Sequence, residues 1–183
     1  MEKIVNVFVS AMIDYRVIDE GKKGIMIYGL DLLFSSIASL LSFVLLGIIL
    51  NVEMQSICFF ALFIPLQSFG GGYHCQTHFR CWLLMLVCYL ISIYAIKCFP
   101  VPLLWESALL VSYSFIKLAP IENVKAPFSE VFRKKMHITV LSIYFIALVF
   151  SFFAYYHNLI LTRTILAAVI LSGVSILAAK IKG

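Results

Sequence analysis

The chain has 183 residues, of which 63% are hydrophobic and only 13% are charged, and its mean hydropathy is +1.04. A water-soluble domain of this size has too little interior to hide that much apolar surface, so the composition excludes an ordinary soluble enzyme and points to the bilayer as solvent. The net charge of +5 does not imply a nucleic-acid partner, because the lysines and arginines flank apolar runs, where membrane topology accounts for them.

In chain order, the opening run "IVNVFVSAMI" is short, follows an acidic residue and leads into "DYRVIDEGKKG", so no cleavable signal sequence is expected. Within residues 1–28, Ile4, Val5, Phe8, Met12 and Tyr15 recur at helical spacing. This amphipathic pattern suits a helix lying in the membrane interface or covering the ends of a bundle.

Four apolar runs then have about the length that spans require: Leu32–Leu50, Cys81–Ile96, Ile138–Tyr156 and Thr164–Ala179. Two more are weaker, Met54–Phe69 with Pro65 and Gln67 inside it, and Val101–Leu118 with Glu106 and Lys117. The expectation is an all-α, polytopic membrane bundle with about six transmembrane segments, forming one integral membrane domain over residues 1–183. Four spans with two re-entrant pieces is the alternative. Six spans with the N-terminus inside leave only Lys97 and Arg163 outside, against twelve of the fourteen basic residues inside. That bias fixes the orientation, with both termini cytoplasmic.

Cys58, Cys88 and Cys98 sit within or at the end of apolar runs, where cysteine behaves as a small hydrophobe. The reactive chemistry concentrates instead in "FGGGYHCQTHFRC", a loop over residues 70–81 that the topology puts at the cytoplasmic surface. Cys81 follows Arg80 at the start of a long apolar helix, and both the guanidinium and the helix N-terminus favour thiolate. His74 is a base of suitable pKa. In continuous helix the pair would stand about 10 Å apart along the axis, too far for proton transfer, so the segment between them has to bend. Gly70, Gly71 and Gly72 allow that reversal, and their amides are candidate oxyanion donors as well as loop-shaping elements. Gln76 and Gln67 are further candidates to orient His74 or line the oxyanion site. Two other readings use the same atoms: His74, Cys75, His78 and Cys81 as zinc ligands, as in a zinc-dependent membrane protease, or Cys75 as the nucleophile. The ligand spacing matches no usual zinc pattern, so neither metal nor cofactor is expected. A small transporter or exporter subunit with Glu106 on its path, and a non-catalytic adaptor, remain as different classes.

"GGYHCQTHFRC" resembles the glycine–glycine–x–histidine, six residues, cysteine signature of the AgrB family (accessory gene regulator B), membrane endopeptidases of Gram-positive quorum sensing. "LAPIENVKAP" is similar to that family's proline–x–acidic/asparagine–asparagine–x–lysine–x–proline loop. Length, span number and the amphipathic start followed by "YGL" agree as well, so the resemblance covers nearly the whole chain. Cys75 departs from it, since the family often has alanine or another small residue there. The resemblance implies Cys81 as nucleophile, His74 as general base and acid, and an AgrD-type precursor peptide as substrate, cut through an acyl-enzyme thioester and cyclised to a thiolactone or lactone. Arg133, Lys134 and Lys135, in the basic connector 119–137, are then candidates to hold an acidic tail of the precursor, although topology anchoring explains them equally well. The remaining partners expected are the lipid bilayer and, from the family, a homodimer.

Overall fold

The structure, a computed structural model, describes residues 9–10, 12–13, 23–73, 78–121 and 129–182. It is all helical, and no strand occurs among the described residues. The helices are α1 (Lys23–Ile49), α2 (Glu53–Gly70), α3 (His78–Cys98), α4 (Val101–Leu110), a π-helical turn (Ser114–Leu118), α5 (Glu130–Tyr155) and α6 (Leu159–Lys182). Four stretches are long and apolar enough to cross a membrane: Phe79–Cys98, Val101–Leu118, Glu130–Tyr155 and Leu159–Ile181. The proposed span Val101–Leu118 is thus among the long apolar ones, carried by α4 and the π turn together. Met54–Phe69 falls in α2, and Leu32–Leu50 falls in α1 up to Ile49, with Leu50 in the turn that follows; the described apolar stretch of α1 is Ile37–Ile49. Of the amphipathic segment 1–28, residues 1–8, 11 and 14–22 lie outside the described residues, and 23–28 form the start of α1.

Two compact units divide the chain, Met1–Ile49 and Leu50–Gly183. The first contains α1, which carries neither an acidic residue in its first turn nor a basic one in its last. Its described outer face is apolar, with Leu41, Leu45 and Ile49 exposed, as a lipid-facing helix requires.

In the second unit α6 is the central post, packed against α2, α3, α4, the π turn and α5. Thr164 through Val169 are buried without a break, so this helix is enclosed on all sides over that stretch. Lipid supplies no hydrophobic force between helices, and close packing through small residues takes its place. Ala167, Ala168, Ser172 and Gly173 form that small-residue surface. At Gly173 the fit is tightest: a Cβ there would stand 2.6 Å from Val111 Cβ and 3.2 Å from the Phe115 ring.

Helix α2 buries Ser56, Phe59, Phe60, Phe63, Leu66 and Gly70, a stripe at helical spacing. Phe60 stacks on Tyr89 of α3 at 5.3 Å between ring centroids, and the Tyr89 hydroxyl bonds Ser56 Oγ, which satisfies both polar groups inside the bundle. Pro65 interrupts the α2 backbone ladder without ending the helix, as neighbouring helices permit in a membrane bundle. The outward sides of α3 and α5 expose Val87, Ile91, Ile146, Val149 and Phe153, a surface too apolar for water.

Helix α5 starts well before its apolar run. Ser129 caps it, its Oγ accepting from Phe132 N at 3.3 Å, and Glu130 occupies the first turn. Both features favour an N-terminus at this point, and the following Arg133, Lys134 and Lys135 are good helix formers. The second half of the basic connector 119–137 is therefore helix, with its cations on the first two turns of α5.

The helix ends sort the charges. Tyr73 N bonds Ser175 O, Ile121 N bonds Gly70 O and His137 Nδ1 bonds Ala119 O, so the ends of α2, the π turn, α5 and α6 meet at one end of this unit. At the other, Arg163 Nη1 bonds Ile96 O at 3.1 Å and ties α6 to α3. Lys117, Arg133 and Lys134 belong to the first end, Lys97 and Arg163 to the second.

Replacing Gly173 by leucine is expected to force α6 away from Val111 and cost about 1–3 kcal/mol or more, as overpacking does. Thermal unfolding in detergent micelles should show a clear drop in Tm for Gly173→Leu and none for Val174→Leu, since Val174 is exposed.

Candidate active site at the glycine turn

Helix α2 ends where the chain needs a residue without a side chain. Gly71 adopts φ 70°, the left-handed conformation that closes many helices. Its amide and that of Gly72 both donate to Gln67 O, the second at 3.2 Å. The next amide, Tyr73 N, donates to Ser175 O at 3.3 Å and to Ser175 Oγ at 3.0 Å. The Gln67 side chain donates through Nε2 to the same Ser175 hydroxyl. Three consecutive amides are thus engaged in holding the turn, so the geometry gives Gly71 and Gly72 a loop-shaping part.

Close approach explains the glycines further. A Cβ on Gly71 would run into the backbone of Ile121, and one on Gly72 into the Gln67 carboxamide. A Cβ on Gly70 would come within 2.8 Å of Ile176 Cδ1. The turn is wedged between α6 and the segment that follows the π turn. Ile121 N donates to Gly70 O at 3.1 Å, so the two sequence motifs, some fifty residues apart, meet by a backbone hydrogen bond.

Cys81 lies in the first turn of α3, half-buried, with Arg80 exposed beside it. Phe79 is exposed and stacks on Trp82 with centroids 6.1 Å apart, an aromatic pair suited to the membrane–water boundary. The N-terminus of an α-helix favours an anion, so the thiol occupies a position that supports thiolate. Cys58, Cys81, Cys88 and Cys98 form no disulfide. His74, Cys75 and Gln76 lie outside the described residues, as does the His78 side chain. Among the described residues no group of three metal-binding side chains occurs, and the side chains of three of the four zinc candidates, His74, Cys75 and His78, fall outside them.

The basic candidates divide. Arg133 and Lys134 line a cavity of about 470 Å³ together with Lys117, Pro120, Glu130 and His137, whereas Lys135 is exposed and does not line it. His137 Nδ1 sits 2.7 Å from Ala119 O. A carbonyl only accepts, so Nδ1 carries the proton. Lys117 and His137 are wall residues that the sequence reading did not select as binding candidates. The signal was present, because 130, 133, 134 and 137 share one face once residues 130–137 are read as helix. Glu106 is exposed on α4.

Substitutions in the turn separate its constraints. Gly71→Ala should cost more than the about 1–2 kcal/mol of a left-handed residue alone, because the Ile121 backbone fills the Cβ site. Ser175→Ala should cost about 1 kcal/mol per lost hydrogen bond. Thermal unfolding of both variants, with proteolysis after Gly72 as a local readout, checks the order.

The accessory gene regulator B family matches residues 1–176. A protein of Clostridium perfringens (strain 13 / Type A) named AgrB-like protein 2 is 26% identical over 171 residues, which covers 86% of this chain and 78% of the relative. No solved structure matches. With both motifs in place and the match running almost end to end, the chain belongs to the AgrB family, and thereby to the processing of quorum-sensing peptides at the membrane.

Proposed function

We propose that the protein is a membrane cysteine endopeptidase that cuts an AgrD-type precursor and lets the product cyclise. The observation that carries this reading is the position of Cys81, in the first turn of an apolar helix at the same end of the unit as the braced glycine turn that precedes His74. His74 takes the Sγ proton of Cys81, and the thiolate attacks a peptide carbonyl of the precursor. The tetrahedral adduct collapses, the C–N bond breaks, and His74 returns the proton to the departing amine. An acyl thioester on Cys81 remains. A thiol or hydroxyl within the peptide then loses its proton to His74 and attacks the thioester carbonyl, closing a thiolactone or lactone and releasing Cys81. No water is consumed, so the acyl group has to be shielded from hydrolysis and held near its internal nucleophile. Arg133 and Lys134 supply charge for an acidic tail of the substrate, and Arg80 favours the thiolate.

Orientation follows from charge. The end that carries the glycine turn also carries Arg80, Lys117, Arg133, Lys134 and Lys135, against Lys97 and Arg163 at the other, and the positive-inside rule assigns it to the cytoplasm.

In reconstituted protein, Cys81→Ala should abolish precursor cleavage, and His74→Ala should lower it by about 10²–10⁴-fold, the usual worth of a general base. Cys75→Ser should leave it within a few-fold of wild type. If Cys81→Ala still cleaves, the assignment fails; if Cys75→Ser is the dead variant, the nucleophile moves and the reaction class stands. A precursor whose internal nucleophile is replaced by alanine should accumulate as a hydroxylamine-sensitive adduct on Cys81, visible by mass spectrometry.

Exposed Cys98 lies at the opposite end of α3 from Cys81. With all other cysteines replaced, an impermeant maleimide should label Cys98 on intact cells, and Cys81 only after permeabilisation. The reverse pattern overturns the orientation.

A further inference from the structure

Helices α3 and α4 follow each other in the chain, yet both lean on α6 and scarcely touch one another. A groove of about 230 Å³ is left among the three helices. Ala95 and Phe99 line it from α3, Leu103 from α4, and Ala167 and Leu171 from α6. Phe99 and Leu103 are exposed, so its mouth opens to the bilayer. The lining is apolar apart from Ser92 and Ser107, and the Ser92 hydroxyl is spent on Tyr89 O at 2.6 Å. The volume is smaller than the roughly 300–1,000 Å³ of clefts that enclose a whole ligand. It suits one hydrocarbon chain of an amphiphile whose remainder stays in the membrane.

A cation stands one turn beyond the groove. Arg163 precedes Ala167 by four residues on α6, and Ile170 and Leu171 continue the same helix face. Its Nη1 donates to Ile96 O at 3.1 Å, between the groove residues Ala95 and Phe99 of α3. Nε is buried without an acceptor, and Arg163 has no ion pair among the described residues. Lys97, the residue after Ile96, is exposed at the same end. Glu53 and Glu106, the described carboxylates of this half of the unit, pair with neither cation. The last carbonyls of α3 offset part of the Arg163 charge. Most of its five donors still lack an acceptor, which is costly at a membrane boundary unless an anion is supplied.

We propose that this is a lipid site: an anionic phospholipid of the leaflet opposite the glycine turn places its phosphate on Arg163 and one acyl chain between α3 and α4. Arginine matches phosphate in geometry as well as charge, Lys97 adds a second cation, and the groove calls for hydrocarbon attached to that anion. A free phosphate would use the guanidinium and leave the groove unused. A zwitterionic lipid would fill the groove but bring its own cation to a place that already has two. Neither Cys81 nor the glycine turn belongs to this site, so it stands whatever reaction the protein catalyses.

The full-length protein in detergent micelles is titrated with phosphatidylglycerol or phosphatidylcholine of identical chains, and bound lipids are counted by native mass spectrometry. The wild type should retain one phosphatidylglycerol about tenfold more tightly than phosphatidylcholine, the worth of one charge-assisted hydrogen bond. Arg163→Gln should erase that preference, and Lys97→Gln should reduce it by less. Leu103→Trp, which fills the mouth of the groove, should weaken retention of the bound lipid. Val149→Trp, on the exposed face of α5, should leave it unchanged. Inorganic phosphate at equal concentration should not displace the lipid. Phosphatidylglycerol should raise the Tm of the wild type, as a ligand of the native state does, and not that of Arg163→Gln. Equal retention of the two lipids, or an Arg163→Gln variant that keeps the preference, overturns the site. Displacement by phosphate marks a free-anion site instead, and full retention in Leu103→Trp removes the groove; either result also overturns the proposal. If Arg163→Gln does not fold, the wild-type preference and Leu103→Trp carry the decision.

Discussion

Everything in the second unit depends on how closely α6 is approached. Within lipid the hydrophobic effect does not drive helices together, so contact has to come from shape. Gly173 lets α4 and the π turn reach backbone distance, and Ala167 and Ala168 continue the same flat surface. Two residues beyond Gly173, Ser175 takes hold of Tyr73 and Gln67. The helix that makes the core possible also carries the anchor of the functional loop. A displacement of α6 by overpacking is therefore felt at the glycine turn, without any change to the residues of that turn.

The turn looks flexible in sequence and is fastened in structure. Three adjacent glycines read as freedom, yet each faces a different neighbour with no room for a methyl group, and the amides of Gly71, Gly72 and Tyr73 all have acceptors. Glycine here serves close approach more than motion, apart from the left-handed Gly71. A further consequence concerns transition-state stabilisation. Donors already bonded to Gln67 O are poorly available to a developing oxyanion. The Gln67 carboxamide is no better placed as a donor, since its Nε2 is bonded to Ser175 Oγ and its Oε1 only accepts.

Much of the architecture was legible in the sequence because each span is a continuous apolar run, and length against bilayer thickness is a strong local signal. Positive charges sorted to one end by the same logic. The start of α5 was not legible from hydropathy, because its first two turns are basic; the capping Ser129 and Glu130 marked it instead. Val101–Leu118 read as weak for its Glu106 and Lys117, yet Glu106 is outward and Lys117 lies at the end of the span, where a cation is cheap. In the site, the motif residues were visible as motifs, whereas their supports were not. Ser175 and Tyr73 are 102 residues apart, and no periodicity in one segment foretells a partner in another. His137 was hidden for a plainer reason: a segment taken as loop has no faces, so its side chains cannot be grouped.

In the acyl-transfer mechanism proposed above, rigidity at this turn has a chemical purpose. A hydrolase needs its thioester to meet water, which is everywhere; a cyclising enzyme needs the same thioester to meet one nucleophile on a tethered chain before water arrives. Effective molarity falls steeply when the reacting groups are loosely held. A loop braced by α6 on one side and by Ile121 on the other restricts where the acyl group can go. The half-buried setting of Cys81 at the head of an apolar helix limits the water that reaches it. The brace through Ile121 continues into the segment that lines the cavity beside α5.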